Sequence, residues 1–227
     1  MNCIYWDTTT EWIVVEIFSL NQSSDSPIRV LYSKKEYRPK DAAFNLVQEI
    51  QIGLQSAGIS APDCIFVAKG PGAFTGIRIA VAAARNLAQL WKIPCIGIDS
   101  LQIYADYYFK KNQSQDCIVL LDGKMNSYFT AIRSLRLVPQ EWATRDISLS
   151  ELDHIIKEKF NDEVQIFSYT TIQRSSKTFS NDFPGILGTS YCSKWKAEEL
   201  TFEKCRYDTL LPKYMRDTYA TQTIPKN

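Results

Sequence analysis

The stretch from Cys64 to Leu90 constrains this chain most. Cys64 to Ala68 is an apolar run of strand length with β-branched members. Lys69-Gly70-Pro71-Gly72 then interrupts regular structure, because two glycines and a proline concentrate turn chemistry. Thr75 is expected to N-cap the helix that follows, in which Gly76, Ala80, Ala82, Ala83, Ala84 and Ala88 are all small. Strand, glycine turn and a helix with so little bulk let a second backbone or a ligand come close. The residues alone leave two uses open. The turn can present free N–H groups to a phosphate, or the helix can pack tightly on another helix. Gly70, Gly72 and Gly76 are spaced G-x-G-x-x-x-G, one residue longer than the dinucleotide fingerprint. Gly76 is followed by Ile77-Arg78, not by the Lys-Ser/Thr of a phosphate loop. Close packing is the favoured use.

Around this stretch the pattern predicts strands at Cys3 to Trp6, Trp12 to Phe18 and Ile28 to Ser33, with loops at Asp7 to Thr10 and Asn21 to Pro27. Short connections favour antiparallel pairing. After a charged connection, Lys34 to Lys40, Asp41 is expected to cap a helix to Ala57, with Leu46, Val47, Ile50 and Leu54 on its apolar stripe. Phe44 lies at the edge of that stripe and is left for a partner. Cys95 to Ile98 is another strand, and Asp99-Ser100 opens a helix. Three strands laid down as a meander, followed by alternating helix and strand, are the order of a ribonuclease-H-like unit.

The second half repeats this in reduced form. Strands are expected at Cys117 to Leu121, Ser127 to Arg133, Leu135 to Pro139 and Val164 to Ser168, with a helix capped by Ser150. Tyr169 to Ser190 reads as loop, and Tyr191 to Leu200 as a short helical pattern. Polar Lys110 to Asp116 marks the boundary between a first domain, 1–110, and a degenerate second one, 111–227.

Composition removes several function classes. The 227 residues carry a net charge of +1, so the chain lacks the basic balance of a free-standing nucleic-acid binder. Six scattered cysteines without a C-x-x-C pair read as reduced core thiols in a cytoplasmic protein. No signal core or membrane-length apolar run is visible. His154 is the only histidine, so neither a His-rich metal site nor a Ser–His pair is expected. Asp7 ends the first strand, where it can contact a nucleotide or metal, or fold back on Thr9 or Thr10 as an Asx-turn. A two-metal nuclease needs several carboxylates, yet the fourth strand runs into Lys69. The expectation is therefore no catalytic residue, no metal and no cofactor. Asp7, Thr8, Thr9, Gly70 and Gly72 remain the candidates for a nucleotide contact.

Lys69 to Ala88, K-G-P-G-A-F-T-G-I-R-I-A-V-A-A-A-R-N-L-A, resembles the signature of the bacterial TsaB (YeaZ) family. Asp7 to Thr10, Asp122 to Arg133 and Leu211 to Arg216 support the same resemblance. It implies an actin-like ATPase fold (the sugar-kinase/Hsp70/actin group) made of two ribonuclease-H-like halves. It also implies a non-catalytic scaffold in forming threonylcarbamoyladenosine beside the tRNA anticodon. The transfer itself falls to the catalytic subunit TsaD, with the ATPase TsaE as further partner and a homodimer when the chain is alone. tRNA is met only through the complex, and no membrane is involved. Phe44, Val47, Gly76, Ala80, Ala83, Ala84 and Leu87 on the first two helices are the expected partner interface. The competing expectation is an independent enzyme, either a nucleotide hydrolase or a glycoprotease-like peptidase.

Overall fold

The computed structural model describes residues 1–20, 28–38, 41, 43–113, 115–161, 163–168, 191–192 and 195–216. The loops expected at 21–27 and 169–190 lie outside them.

Two sheets carry the fold. The first contains β1 (Asn2–Asp7), β2 (Trp12–Ser19), β3 (Arg29–Tyr37), β4 (Cys64–Ala68) and β5 (Cys95–Ile98), in the order β3-β2-β1-β4-β5. β1 pairs antiparallel with β2 and parallel with β4, and β5 extends the parallel side. Between these strands run α1 (Leu46–Ala57) and α2 (Phe74–Trp91), followed by α3 (Ser100–Lys111). The second sheet contains β6 (Cys117–Asp122), β7 (Ser127–Arg133), β8 (Arg145–Ser148) and β9 (Gln165–Ser168), in the order β8-β7-β6-β9, with α4 (Leu149–Phe160) ahead of β9. β6 pairs antiparallel with β7 and parallel with β9, so the second sheet repeats the first without its last strand. This is the actin-like arrangement of two ribonuclease-H-like halves, the second degenerate.

β1 and β4 are buried on both faces, which is why they read as nearly continuous apolar runs. On one face of the first sheet, Ile4, Trp6, Ile65 and Val67 meet α1 and α2 through Leu46, Ile50, Ile77 and Ala80. On the other, Cys3, Tyr5 and Phe66 meet α3 through Leu101, Tyr104 and Tyr108, and α3 also packs on β6 and β7. α4 closes the far side of the second sheet with Leu152, Ile156 and Phe160. α3 is thus sandwiched between the sheets, and one core runs through both halves.

Several boundaries differ from the sequence reading, each for a local reason. β3 runs on to Tyr37 because a sheet edge tolerates charged side chains such as Lys34 and Lys35. α1 starts at Leu46 rather than after Asp41, since residues 43–45 form a turn. Val47 leaves the buried stripe and is 59% exposed. α2 starts at Phe74, one residue before Thr75. Ser148, not Ser150, caps α4, through a reciprocal capping box with Glu151. No strand forms over Leu135 to Pro139. The Ser134 hydroxyl accepts from the Arg136 N–H and turns the chain there, and β8 forms later. Of the helix expected from Tyr191 to Leu200, the described residues are helical at 191–192 and form a 3-10 turn at Ala197–Glu199, with 193–194 outside them.

The chain's last described segment returns to the first sheet. Trp195 packs on Phe66. The Cys95 N–H donates to the Cys205 carbonyl at 2.8 Å, and the Lys213 N–H donates to the Lys69 carbonyl at 2.7 Å. Leu210 enters the core beneath α2.

Candidate functional site

Two turns face each other at the C-terminal ends of β1 and β4. At the first, Asp7 is 1% exposed. Its Oδ1 accepts from the N–H and the hydroxyl of Thr9, both at 2.7 Å. Its Oδ2 accepts from the Tyr104 hydroxyl at 2.5 Å and the Tyr5 hydroxyl at 3.3 Å. Asp7 is therefore an Asx-turn aspartate with both oxygens engaged by its own chain. Burial pushes its carboxyl above the usual range, and the donors from Tyr104 and Thr9 partly offset that rise. The same burial, with Asp7 alongside, pushes the Tyr5 and Tyr104 hydroxyls well up.

The second turn is the glycine segment. Two of its N–H groups are bonded within the chain, and a hydroxyl of the first turn reaches it. The Ala73 N–H donates to the Thr9 carbonyl at 2.6 Å, the Gly70 N–H to the Ser100 hydroxyl at 3.1 Å, and the Thr8 hydroxyl to the Gly76 carbonyl at 2.9 Å. A Cβ on Gly76 would sit 1.9 Å from the Thr8 carbonyl oxygen, and one on Gly72 would sit 2.1 Å from that of Thr9. Gly70 has φ +106°, and its Cβ position is 2.6 Å from the Lys213 carbonyl oxygen. The structure brings Asp7, Thr8, Thr9, Gly70 and Gly72 together, packed turn against turn. The Thr9 carbonyl lies against Gly72 and accepts from the Ala73 N–H, so one carbonyl of the first turn sits directly on the second.

The small residues of α2 divide by face. Ala80 and Ala84 have no exposure and Gly76 is buried, all turned toward β1 and β4. The Trp6 indole N–H donates to the Ala80 carbonyl at 3.1 Å, which draws the helix down on the sheet. This corrects the expectation for Gly76, Ala80 and Ala84 as a partner's contact face, because their shortness serves packing within the chain. Ala83 and Leu87 lie half-buried on the outer side. Phe44, just ahead of α1, is 75% exposed. α1 and α2 pack on the same face of the first sheet, α1 over β2 and β3 and α2 over β4 and β5, with Phe44 and Val47 exposed beside the first and Ala83 and Leu87 half-buried on the second.

Other groups organise the opposite side of the glycine turn. Asp99 caps α3 by accepting from the Gln102 N–H at 3.1 Å, accepts from the Thr144 hydroxyl at 2.9 Å, and pairs with Lys213. Arg216 pairs with Asp146 and bonds to the Ser127 hydroxyl, fastening the returning segment to the second sheet. Lys213 and Arg216 look like rim charges in the sequence, and neither announces such a role. Asp99 was legible only as a helix start, and Tyr5 and Tyr104 carried no signal beyond apolar periodicity. His154 is exposed on α4, with Glu158 at 4.0 Å. All six cysteines are free, and five are buried. Among the described residues no group of three or more His, Cys, Asp or Glu could hold a metal ion, and no helix is long and apolar enough to cross a membrane.

Comparison with known proteins places this geometry. Residues 40–157, just over half of the chain, match the family model described as TsaD: tRNA N6-adenosine threonylcarbamoyltransferase. A protein of Buchnera aphidicola named tRNA threonylcarbamoyladenosine biosynthesis protein TsaB is 34% identical over 44% of this chain and 49% of its own length. The Escherichia coli protein of the same name is 27% identical over 58% of this chain and 54% of its own. The chain thus spans about half the length of these curated relatives. In three dimensions it is similar to YeaZ from Pseudomonas aeruginosa, with a TM-score of 0.68, 18% identity, and coverage of 94% of this chain and 100% of that one. The signature at Lys69 to Ala88, the paired half-sheets and these matches agree: the chain belongs to the family of that model and, within it, to the TsaB (YeaZ) proteins.

Proposed function

We propose that this chain is a non-catalytic subunit required for forming the threonylcarbamoyl group on the adenosine beside the tRNA anticodon. It docks on a TsaD-type catalytic subunit and supports it, with a TsaE-type ATPase as further partner, in the cytoplasm. Alone, the same face pairs two copies of the chain. The first half, 1–110, supplies the docking helices. The second half, 111–227, braces them by packing β6 and β7 on α3 and through the returning segment.

The observation that carries this reading is the outward side of α1 and α2. Buried glycine and alanines seat α2 against the sheet, while Phe44 and Val47 stand 75% and 59% exposed at α1, on the same face of the sheet as α2. Large apolar side chains left exposed on a well-packed domain suit a protein interface. A stand-alone nucleotide hydrolase at Asp7 and Gly72 finds less support, because both Asp7 oxygens and the Gly70 and Ala73 N–H groups already have partners within the chain. No Ser–His pairing among the described residues speaks for a peptidase.

The test is binding to a TsaD-type subunit by calorimetry. Phe44→Asp and Leu87→Asp should each weaken association at least tenfold, and Phe44→Asp, at an exposed position, should leave the melting temperature near that of the unaltered chain. Unchanged affinity in both variants would remove this face from the interface.

A further inference from the structure

The groove between α2 and the returning segment is used by none of these roles. α2 presents two outer stripes, because residues three and four apart share a helix face. Ile79, Ala83, Leu87 and Leu90 form one. Arg78, Ala82, Arg85 and Gln89 form the other, turned toward the returning segment. Along this second stripe lies an open cleft of about 330 Å³, with Tyr207, Pro212 and Tyr214 as its opposite wall.

The lining has a particular chemistry. It contains two guanidinium groups and no carboxylate. Among the described residues, neither Arg78 nor Arg85 has an acidic side chain within ion-pair distance. Aromatic rings continue the wall past its end. Phe74, 47% exposed, has its ring centroid 5.2 Å from that of Tyr214, and the Arg78 guanidinium lies 5.2 Å from the Phe74 centroid. Asn86 and Gln89 add amide donors and acceptors beside the arginines. Two arginines seven residues apart on one helix lie about 10 Å apart along its axis, so they can hold two separate anionic groups. Planar cations for phosphate, exposed rings for stacking and amides for base edges are the set with which proteins take unpaired nucleotides. An acidic peptide would use the arginines and leave the rings without a role. The net charge of +1 is no obstacle, because only this groove need be basic.

We propose that this groove binds an unpaired stretch of RNA, with bases against Phe74, Tyr207 and Tyr214 and phosphates on Arg78 and Arg85. This deepens the proposed function by giving the scaffold a direct contact with RNA, and it rests on that reading for the choice of RNA. It concerns a different stripe of α2, so the two can fail separately.

The test uses the full chain without partners and a fluorescent single-stranded RNA of about eight nucleotides, within the span such sites cover. Anisotropy is followed as salt is raised, with a duplex of the same length, free AMP and an acidic peptide as competitors. The single strand should bind, and unlabelled single strand should displace it far better than the three competitors. Arg78→Ala with Arg85→Ala should flatten the log–log salt slope by about 1.4, the loss of two phosphate contacts to a single strand. Tyr214→Ala should weaken binding between about fivefold and a hundredfold while leaving that slope unchanged. Arg78→Lys and Arg85→Lys keep the charge, lose the planar fork, and serve if the alanine pair melts early; they should weaken binding with the slope kept. Absent binding, equal binding by all variants, or displacement by AMP or the peptide as effective as by RNA would overturn the proposal. Unchanged partner docking in both Phe44→Asp and Leu87→Asp, with RNA binding intact, would fault the docking face alone.

Discussion

At the scale of single residues, Asp7 has an unusual role for a carboxylate at the end of a first strand. It is buried, and its four hydrogen bonds all come from its own chain. Its folded-state pKa is raised above the ordinary 3.8, so the folded chain holds this proton more tightly than the unfolded chain does. The contribution of Asp7 to stability is therefore fully present below the unfolded value and is lost as pH rises through the folded one. Asp7→Asn keeps an acceptor for Thr9 and turns a donor toward the tyrosine hydroxyls. Measured by urea unfolding between about pH 4 and pH 8, it should lose this pH dependence relative to the unaltered chain. Asp7→Ala strands the Thr9 and tyrosine donors and should cost about 1–3 kcal/mol at neutral pH. Gly76→Ala meets backbone rather than a flexible side chain, with its Cβ position 1.9 Å from the Thr8 carbonyl oxygen. It should lower stability by about 3 kcal/mol in the same assay, the upper part of the overpacking range. Gly76 could be read from the sequence as a place of close approach. That the approaching group is the Thr8 carbonyl could not, because residues 68 positions apart meet only through the parallel pairing of β1 with β4.

At the scale of elements, the sequence pattern was most informative where periodicity and burial agree. Cys64 to Ala68 was expected as a strand and is β4, and the meander of β1, β2 and β3 was legible from alternating apolar runs and short turns. The face of α2 was not. Its alanines surround much of the helix, so small size alone does not distinguish those under Trp6 from those facing outward. The anchor that decides it, the Trp6 indole on the Ala80 carbonyl, comes from a different strand. The consequence is measurable. Ala80→Leu inserts three carbons beneath a helix with no exposure there, and should lower folding stability by about 1–3 kcal/mol in denaturant unfolding. β8 was misplaced for a similar reason. Leu135 to Pro139 has strand-like composition, but a hydroxyl at Ser134 turns the chain first.

At the scale of the whole molecule, the halves are joined by more than their boundary. α3 stands between the sheets, and Leu210, Lys213 and Arg216 carry the chain from the first half's core to the second sheet. The repeat of strand order was visible in the sequence. The returning segment was not, because Leu211 to Arg216 has neither helical nor strand periodicity and takes its conformation from Lys69 and Asp99. The two turns are tied together by the Ala73 N–H on the Thr9 carbonyl and the Thr8 hydroxyl on the Gly76 carbonyl, and the proposed docking side is the outward one of α1 and α2. The most direct measurement of this division is threonylcarbamoyladenosine formation on tRNA in a reconstituted mixture with TsaD- and TsaE-type subunits. The unaltered chain and Asp7→Asn should both support modification at comparable rates, while Phe44→Asp with Leu87→Asp should reduce it at least tenfold. Loss of modification in Asp7→Asn, with the double surface variant fully active, would contradict the account.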